Sequence, residues 1–213
     1  MAEIFDYKKE YRDLYLPKTQ PSIIDVPEMI FVAVEGKGDP NDPDGEYQEA
    51  LGLLYGIQYT IKMSKKGNDT PEGYIDYVVP PLEGLWWSGG AVKNPPADKS
   101  KYNWLSMIRL PEYVTKKVFE WACREVSAKK KLDTAKAKYI KIKEGLCVQC
   151  MHTGSFDDEP ATIAAMESYA AENGYAIDIG ETRRHHEIYL SDPRKVSPEK
   201  MKTVIRHPVR KIL

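Results

Sequence analysis

The sequence predicts an α+β fold made of two strand–helix–strand–strand halves. Three observations predict it. Short runs rich in β-branched residues alternate with segments whose apolar residues recur at helical spacing. The order of these segments recurs in the second part of the chain, the kind of internal duplication that marks paired modules. A separate helix with its own cap signals lies between the two halves.

Residues 1–28 mix Tyr7, Tyr11, Leu14, Tyr15 and Leu16 with charges and read as an N-terminal arm. The rest, 29–213, reads as one domain: half one over 29–114, a linking helix over 115–131, and half two over 138–208. Half one opens with the strand Met29–Gly36, which stops at a cluster of Gly, Asp and Pro. A helix from Glu46 to Met63 follows, with Tyr47, Ala50, Leu51, Leu54, Ile57 and Ile61 on one face. Its Gly52 and Gly56, four apart, suggest that another backbone packs closely there. A second strand spans Gly73–Val79, Leu82–Gly90 reads as an aromatic loop, a Pro- and Lys-containing loop runs to Ser100, and Tyr102–Leu110 is the third strand.

The linking helix has Thr115 as its expected N-cap and buries Val118, Phe119, Ala122 and Val126. Half two begins with an extended lead-in at Tyr139–Ile142 and a strand at Leu146–His152. After a turn over Thr153–Glu159, a helix runs from Pro160 to Asn173, bounded by Pro at its start and Gly174 past its end. His185–Leu190 and Lys202–Arg206 are the closing strands.

Composition narrows the function classes. The 213 residues are 42% hydrophobic, too apolar for a disordered chain. A net charge of −1 is too balanced for a protein that works by coating nucleic-acid phosphates, so no direct nucleic-acid binding is expected. No run of about 18 apolar residues exists to span a membrane, and the polar start lacks a signal core; a cytoplasmic location is expected. Three cysteines make an odd count that argues against a disulfide framework. The aromatic content is skewed, with 14 Tyr and 4 Trp against 4 Phe. Tyr and Trp join apolar bulk to a polar handle, which suits a surface that must meet both water and a ligand.

Several motifs tempt. Cys147 and Cys150 form a C-x-x-C, but three positions apart on a strand their thiols diverge, and no second pair exists. Gly36-Lys37-Gly38-Asp39-Pro40 matches no phosphate-loop pattern and reads as a turn. His185-His186-Glu187 carries metal-ligand types. On a strand His185 and Glu187 share a face while His186 faces away, and two ligands make no site, so no metal and no cofactor are expected. His152 and His207 read as structural or surface residues.

Glu187 lies mid-strand with His185 and Tyr189 on its face and Ile188 and Leu190 on the other. The Ile/Leu face is expected to pack on the helices, leaving Glu187 on an open face. A carboxylate among aromatic neighbours there is what a cation-binding or general-base site needs. Adjacent Trp86 and Trp87, and strand residues Trp104 and Tyr77, are the candidate walls.

These residues resemble a known family. The two-half plan, together with the stretches Pro80-Pro81-Leu82-Glu83-Gly84-Leu85-Trp86-Trp87, His152-Thr153-Gly154-Ser155-Phe156-Asp157-Asp158-Glu159 and His186-Glu187-Ile188-Tyr189-Leu190-Ser191-Asp192-Pro193, resembles the GyrI-like small-molecule-binding domain over roughly residues 25–210. Glu187 and Tyr189 match its Glu-x-Tyr strand before Asp-Pro. The resemblance implies one pseudo-symmetric antiparallel sheet with helices on one face and, on the other, a cleft for bulky, flat, often cationic molecules around a central Glu. Its stand-alone branch resembles cyclopropanoid cyclopropyl hydrolases, which open the strained ring of DNA-alkylating toxins. Ser155-Phe156 departs from the family's Pro-Tyr and loses one hydroxyl.

On that resemblance the expected activity is hydrolysis of cyclopropane-bearing toxins. Glu187 is the expected base and Tyr189 or Tyr77 the donor, with His185, Trp86, Trp87 and Trp104 contacting the ligand. The same residues would serve a non-catalytic protein that sequesters hydrophobic or cationic aromatic molecules. A gyrase-interacting inhibitor is a third alternative. It would call for an acidic DNA-mimicking surface, which the balanced charge does not supply.

Overall fold

The computed structural model describes residues 4–88 and 99–212. Gly89, Gly90 and the loop following them, as read from the sequence, lie outside the described residues up to position 98. The strands are β1 (Phe5–Asp6), β2 (Ser22–Lys37), β3 (Tyr77–Val78), β4 (Leu82–Trp87), β5 (Asn103–Arg109), β6 (Lys138–Thr153), β7 (Tyr175–Ile177), β8 (His185–Tyr189) and β9 (Lys202–Lys211). The α-helices are α1 (Tyr7–Glu10), α2 (Arg12–Tyr15), α3 (Glu46–Met63), α4 (Lys116–Lys130) and α5 (Glu159–Glu172).

Seven strands form one sheet in the order β6-β2-β5-β4-β8-β9-β7, with β6 also pairing β9. Every ladder in it is antiparallel. The ladders close into a circuit because β6 serves two neighbours: Cys147, Val148 and Gln149 pair with Ile24, Ile23 and Ser22 on one side and with Pro208, His207 and Arg206 on the other. Gly145 adopts φ +66 just before this stretch, a left-handed conformation that suits glycine. Half one contributes β2, α3, β4 and β5, and half two contributes β6, α5, β8 and β9. β4 and β8 meet at the centre, with Gly84 opposite Glu187 and Trp86 opposite His185.

Three long helices lie on one face. α3 and α4 pack over Val32, Val34, Trp104 and Ile108. α5 packs over Val148, Cys150 and Ile205. Thr115 caps α4, its Oγ accepting from the Val118 N–H at 3.3 Å. Gly174, with φ +79, follows α5 as expected. Cys147 and Cys150 fall in different core clusters, on opposite sheet faces.

The other face is covered by the N-terminal arm. Tyr7, Leu14 and Tyr15 are buried against Phe31, Met107, Ile188 and Val204. The Arg109 guanidinium lies 4.7 Å and 4.4 Å from the ring centres of Tyr7 and Tyr11, close enough for cation–π attraction. Below the arm is a buried ion cluster. His186 lies 3.0 Å from Glu83 and from Glu144, and Arg206 lies 3.0 Å from Glu144 and donates to the Leu14 carbonyl at 2.7 Å. The His186 imidazole is pushed up to about 9 by Glu144 and Glu83, overcoming burial, and Glu144 is held down at about 2 by His186 and Arg206.

The structure differs from several sequence expectations. Leu82–Trp87 is a central strand and not a loop. Gly73–Val79 yields only the two-residue β3, which pairs in parallel with the arm. β2 begins at Ser22, not Met29, and 138–153 is one continuous strand. Gly52 and Gly56 make no backbone contact: Gly52 faces open space and Gly56 meets the Val126 and Leu132 side chains.

Candidate functional site

A cleft of about 1090 Å³ opens between α3 and α5 over the central strands. It lies on the helix-bearing face, whereas strand alternation and the family resemblance put it on the opposite one. Both faces of the sheet are covered, and the side without the long helices is filled by the arm. The face of Glu187 is therefore left open only where α3 and α5 stand apart.

β8 supplies the floor. His185, Glu187 and Tyr189 point into the cleft because they alternate on one face of that strand. Tyr189 donates its hydroxyl to Glu187 Oε2 at 2.7 Å. Glu187 Oε1 is 2.8 Å from His185 Nε2, and His185 Nδ1 is 2.7 Å from His207 Nε2. Burial and the charge of Glu187 hold the Tyr189 proton on, well above the ordinary phenol range. Burial drives His207 down to about 3, so it is neutral. A neutral His207 that donates Nε2–H to His185 leaves His185 to donate Nε2–H to Glu187. The carboxylate then receives two oriented donors, fixing where its lone pairs point.

β4 and α3 supply the aromatic wall. The Trp86 Nε1–H donates to the Tyr189 hydroxyl at 2.8 Å, and its ring lies 5.6 Å from Tyr47 and 5.8 Å from Tyr102. Trp87 lines the rim with the Arg184 guanidinium 4.9 Å from its ring centre. Phe156 stands edge-on to Tyr189 at 5.9 Å, so this position keeps aromatic bulk although it carries no hydroxyl. Tyr55 and Tyr59 of α3 add further lining.

Two expected site residues lie elsewhere. Trp104 is 1% exposed, sealed under Gly36 and edge-on to Tyr47, so it supports the wall from behind. Tyr77 is 1% exposed in the arm-side core, its hydroxyl donating to Gln58 Oε1 at 3.0 Å. Neither reaches the cleft. Trp86, Trp87, His185, Glu187 and Tyr189 do.

The structure adds Glu159, the first residue of α5, which the sequence pattern places at the end of a turn and gives no role. Its side chain enters the same cleft. One donor atom each from Glu159, His185 and Glu187 lie within 4.8 Å of one another, the one such group among the described residues. These are donor types a cation accepts, but His185 and Glu187 are already joined by a hydrogen bond. Burial and the nearby Glu187 push Glu159 up to about 10. His207, read from the sequence as structural or surface, proves to be buried and to hold His185 in place. No helix among the described residues is long and apolar enough to cross a membrane.

Comparison with known proteins agrees with this architecture. The model of the GyrI-like small molecule binding domain matches residues 19–210. A hydrolase from Listeria innocua is 48% identical, with a TM-score of 0.88, over 97% of this chain and 100% of its own. An uncharacterized conserved protein from Listeria innocua is 49% identical, with a TM-score of 0.90, over the same shares. The EcmrR C-terminal domain is similar in fold alone, at 13% identity and a TM-score of 0.50 over 91% of this chain and 98% of its own. No curated protein matches the chain.

Proposed function

Because the chain belongs to the GyrI-like small-molecule-binding domain family, we propose that its cleft takes a bulky, flat, apolar or cationic molecule and hydrolyses it. The substrate class is that of cyclopropane-bearing DNA-alkylating toxins, which the reaction disarms. One observation carries this reading: Glu187 sits at the floor of an aromatic-walled cleft with its carboxylate held by His185 and Tyr189. The hydrolase from Listeria innocua, similar over 97% of this chain, supports hydrolysis as the class of reaction.

The chemistry follows from that placement. A flat substrate stacks against Trp86, on the Glu187 face of β4, with Trp87 at the rim; this displaces water and presents its three-membered ring to the floor. Glu187 removes a proton from one remaining water as that water's oxygen bonds to a ring methylene. The breaking C–C bond gives its electron pair to a conjugated dienone, which becomes a phenol once its carbonyl oxygen takes a proton. Relief of ring strain and aromatisation drive the step, so a base and a proton donor suffice. Tyr189 already gives its hydroxyl to Glu187 and acts here as a positioning residue.

The test is parallel binding and turnover. A spirocyclopropyl cyclohexadienone is titrated against the protein by Trp fluorescence while phenol formation is followed by chromatography. Saturable binding with catalytic phenol release is expected. Binding without product would replace this reading by sequestration, and no binding at all would remove both.

A further inference from the structure

We propose that Glu159 is the acid partner of Glu187: it holds a proton inside the cleft and passes it to an acceptor oxygen on the bound molecule, so that the site selects ligands carrying a conjugated carbonyl. This rests on the hydrolytic reading above and adds the missing proton donor to it.

The placement argues for it first. Glu159 is 7% exposed, and its Oε1 is buried with no hydrogen-bond partner among the described residues. Of two carboxylates this close, ionisation of one disfavours ionisation of the other. The proton falls on Glu159 because Glu187 receives two hydrogen bonds that favour its anion, whereas Glu159 Oε1 receives none. The surrounding groups do not reverse this. From β8 it faces His185, Glu187 and Tyr189. From β9 His207 is neutral, and Tyr102 lies before β5. Asp157, on the preceding turn, adds negative charge and is itself 3.9 Å from Lys99. The N-terminus of α5 favours an anion at Glu159, and burial with the neighbouring charge outweighs it.

The step balances. The Glu159 proton moves to the carbonyl oxygen, and water's oxygen bonds to the methylene. The ring C–C pair enters the new aromatic system, and Glu187 keeps the proton taken from water. The site then holds a protonated Glu187 beside an ionised Glu159. One proton passing between them restores the start, and the net change is addition of water.

The experiment compares wild type with Glu159→Gln and Glu187→Gln, using infrared carboxyl spectra and the pH dependence of dienone hydrolysis. Wild type is expected to show a protonated-carboxyl band at neutral pH that Glu159→Gln lacks. In Glu187→Gln that band should titrate at lower pH. Glu159→Gln should lower kcat by about 100-fold or more, leave KM nearly unchanged, and abolish the alkaline fall of the wild-type profile. Wild type that hydrolyses with a band and a pH profile unaltered by Glu159→Gln overturns this assignment and leaves the hydrolytic reading standing. Wild type that binds the dienone without product, with the Glu159 band shifting on binding, overturns hydrolysis and supports the proton assignment.

Discussion

Gly84 is where the fold and the site are most tightly joined, and Gly84→Ala probes that join. Gly84 lies opposite Glu187 in the β4–β8 ladder. A Cβ there would stand 2.7 Å from Trp86 Nε1 and 3.2 Å from the Tyr189 hydroxyl. Ordinary contact needs about 3.5 Å, so the indole must move by close to an ångström. It cannot swing freely, because Tyr47 and Tyr102 flank it and its N–H is bonded to Tyr189. Overpacking of this kind costs about 1–3 kcal/mol, and losing the Trp86–Tyr189 bond adds about 1 kcal/mol. Displaced Tyr189 also loosens its hold on Glu187, and a shift of about 1 Å at reacting groups can cost about 100-fold in rate. Urea denaturation with far-UV detection reads the stability, and dienone hydrolysis the rate. A variant as stable and as active as wild type would refute the coupling of Trp86, Tyr189 and Glu187.

Other outcomes follow from the same structure. Tyr189→Phe removes one donor to Glu187 and one acceptor for Trp86 and should slow hydrolysis by about 10-fold or more; unchanged kcat would show that the hydroxyl does not position the base. His207 is neutral when folded and takes a proton when unfolded below about 6.5, so its contribution to stability is present above that pH and is lost as pH falls toward about 3. Acid unfolding midpoints should therefore drop less steeply in His207→Gln, and equal slopes would contradict the burial. Arg206→Ala leaves Glu144 buried beside His186 alone and should cost about 3–5 kcal/mol. It should also free the arm to protease, seen as early cleavage before Ser22, while resistance like that of wild type would contradict the clamp on Leu14. Cys147 and Cys150 are buried, with Cys147 pushed up to about 12; both should resist a thiol reagent in the native protein, and fast labelling would contradict their packing.

Much of this was legible in the sequence because it depends on local pattern. The helix-periodic faces of α3 and α4, the Thr115 cap and the shared face of His185, Glu187 and Tyr189 all follow from spacing. What escaped depends on distant partners. Alternation tells which residues share a strand face but not which face the helices choose, and here the arm competes for one of them through Tyr7, Leu14 and Tyr15. Those tyrosines, part of the aromatic excess, turn out to be core. Trp86-Trp87 read as loop because Pro80, Pro81 and Gly84 surround it. Yet β4 is held from both sides by β5 and β8, and Gly84 is small because the Trp86 indole lies over it. Glu159 carried no signal of its own. Its meaning arises when α5 brings it against β8, a contact no short window contains.

The proposed chemistry turns on one step, in which the Glu187 carboxylate in the cleft between α3 and α5 activates water. It is tested most directly by following dienone hydrolysis in isotopically labelled water with wild type and Glu187→Gln, with binding measured on the same samples. Wild type should release a phenol carrying one oxygen from water. Glu187→Gln should bind the dienone comparably and release almost none. Product formed by Glu187→Gln at the wild-type rate would contradict it.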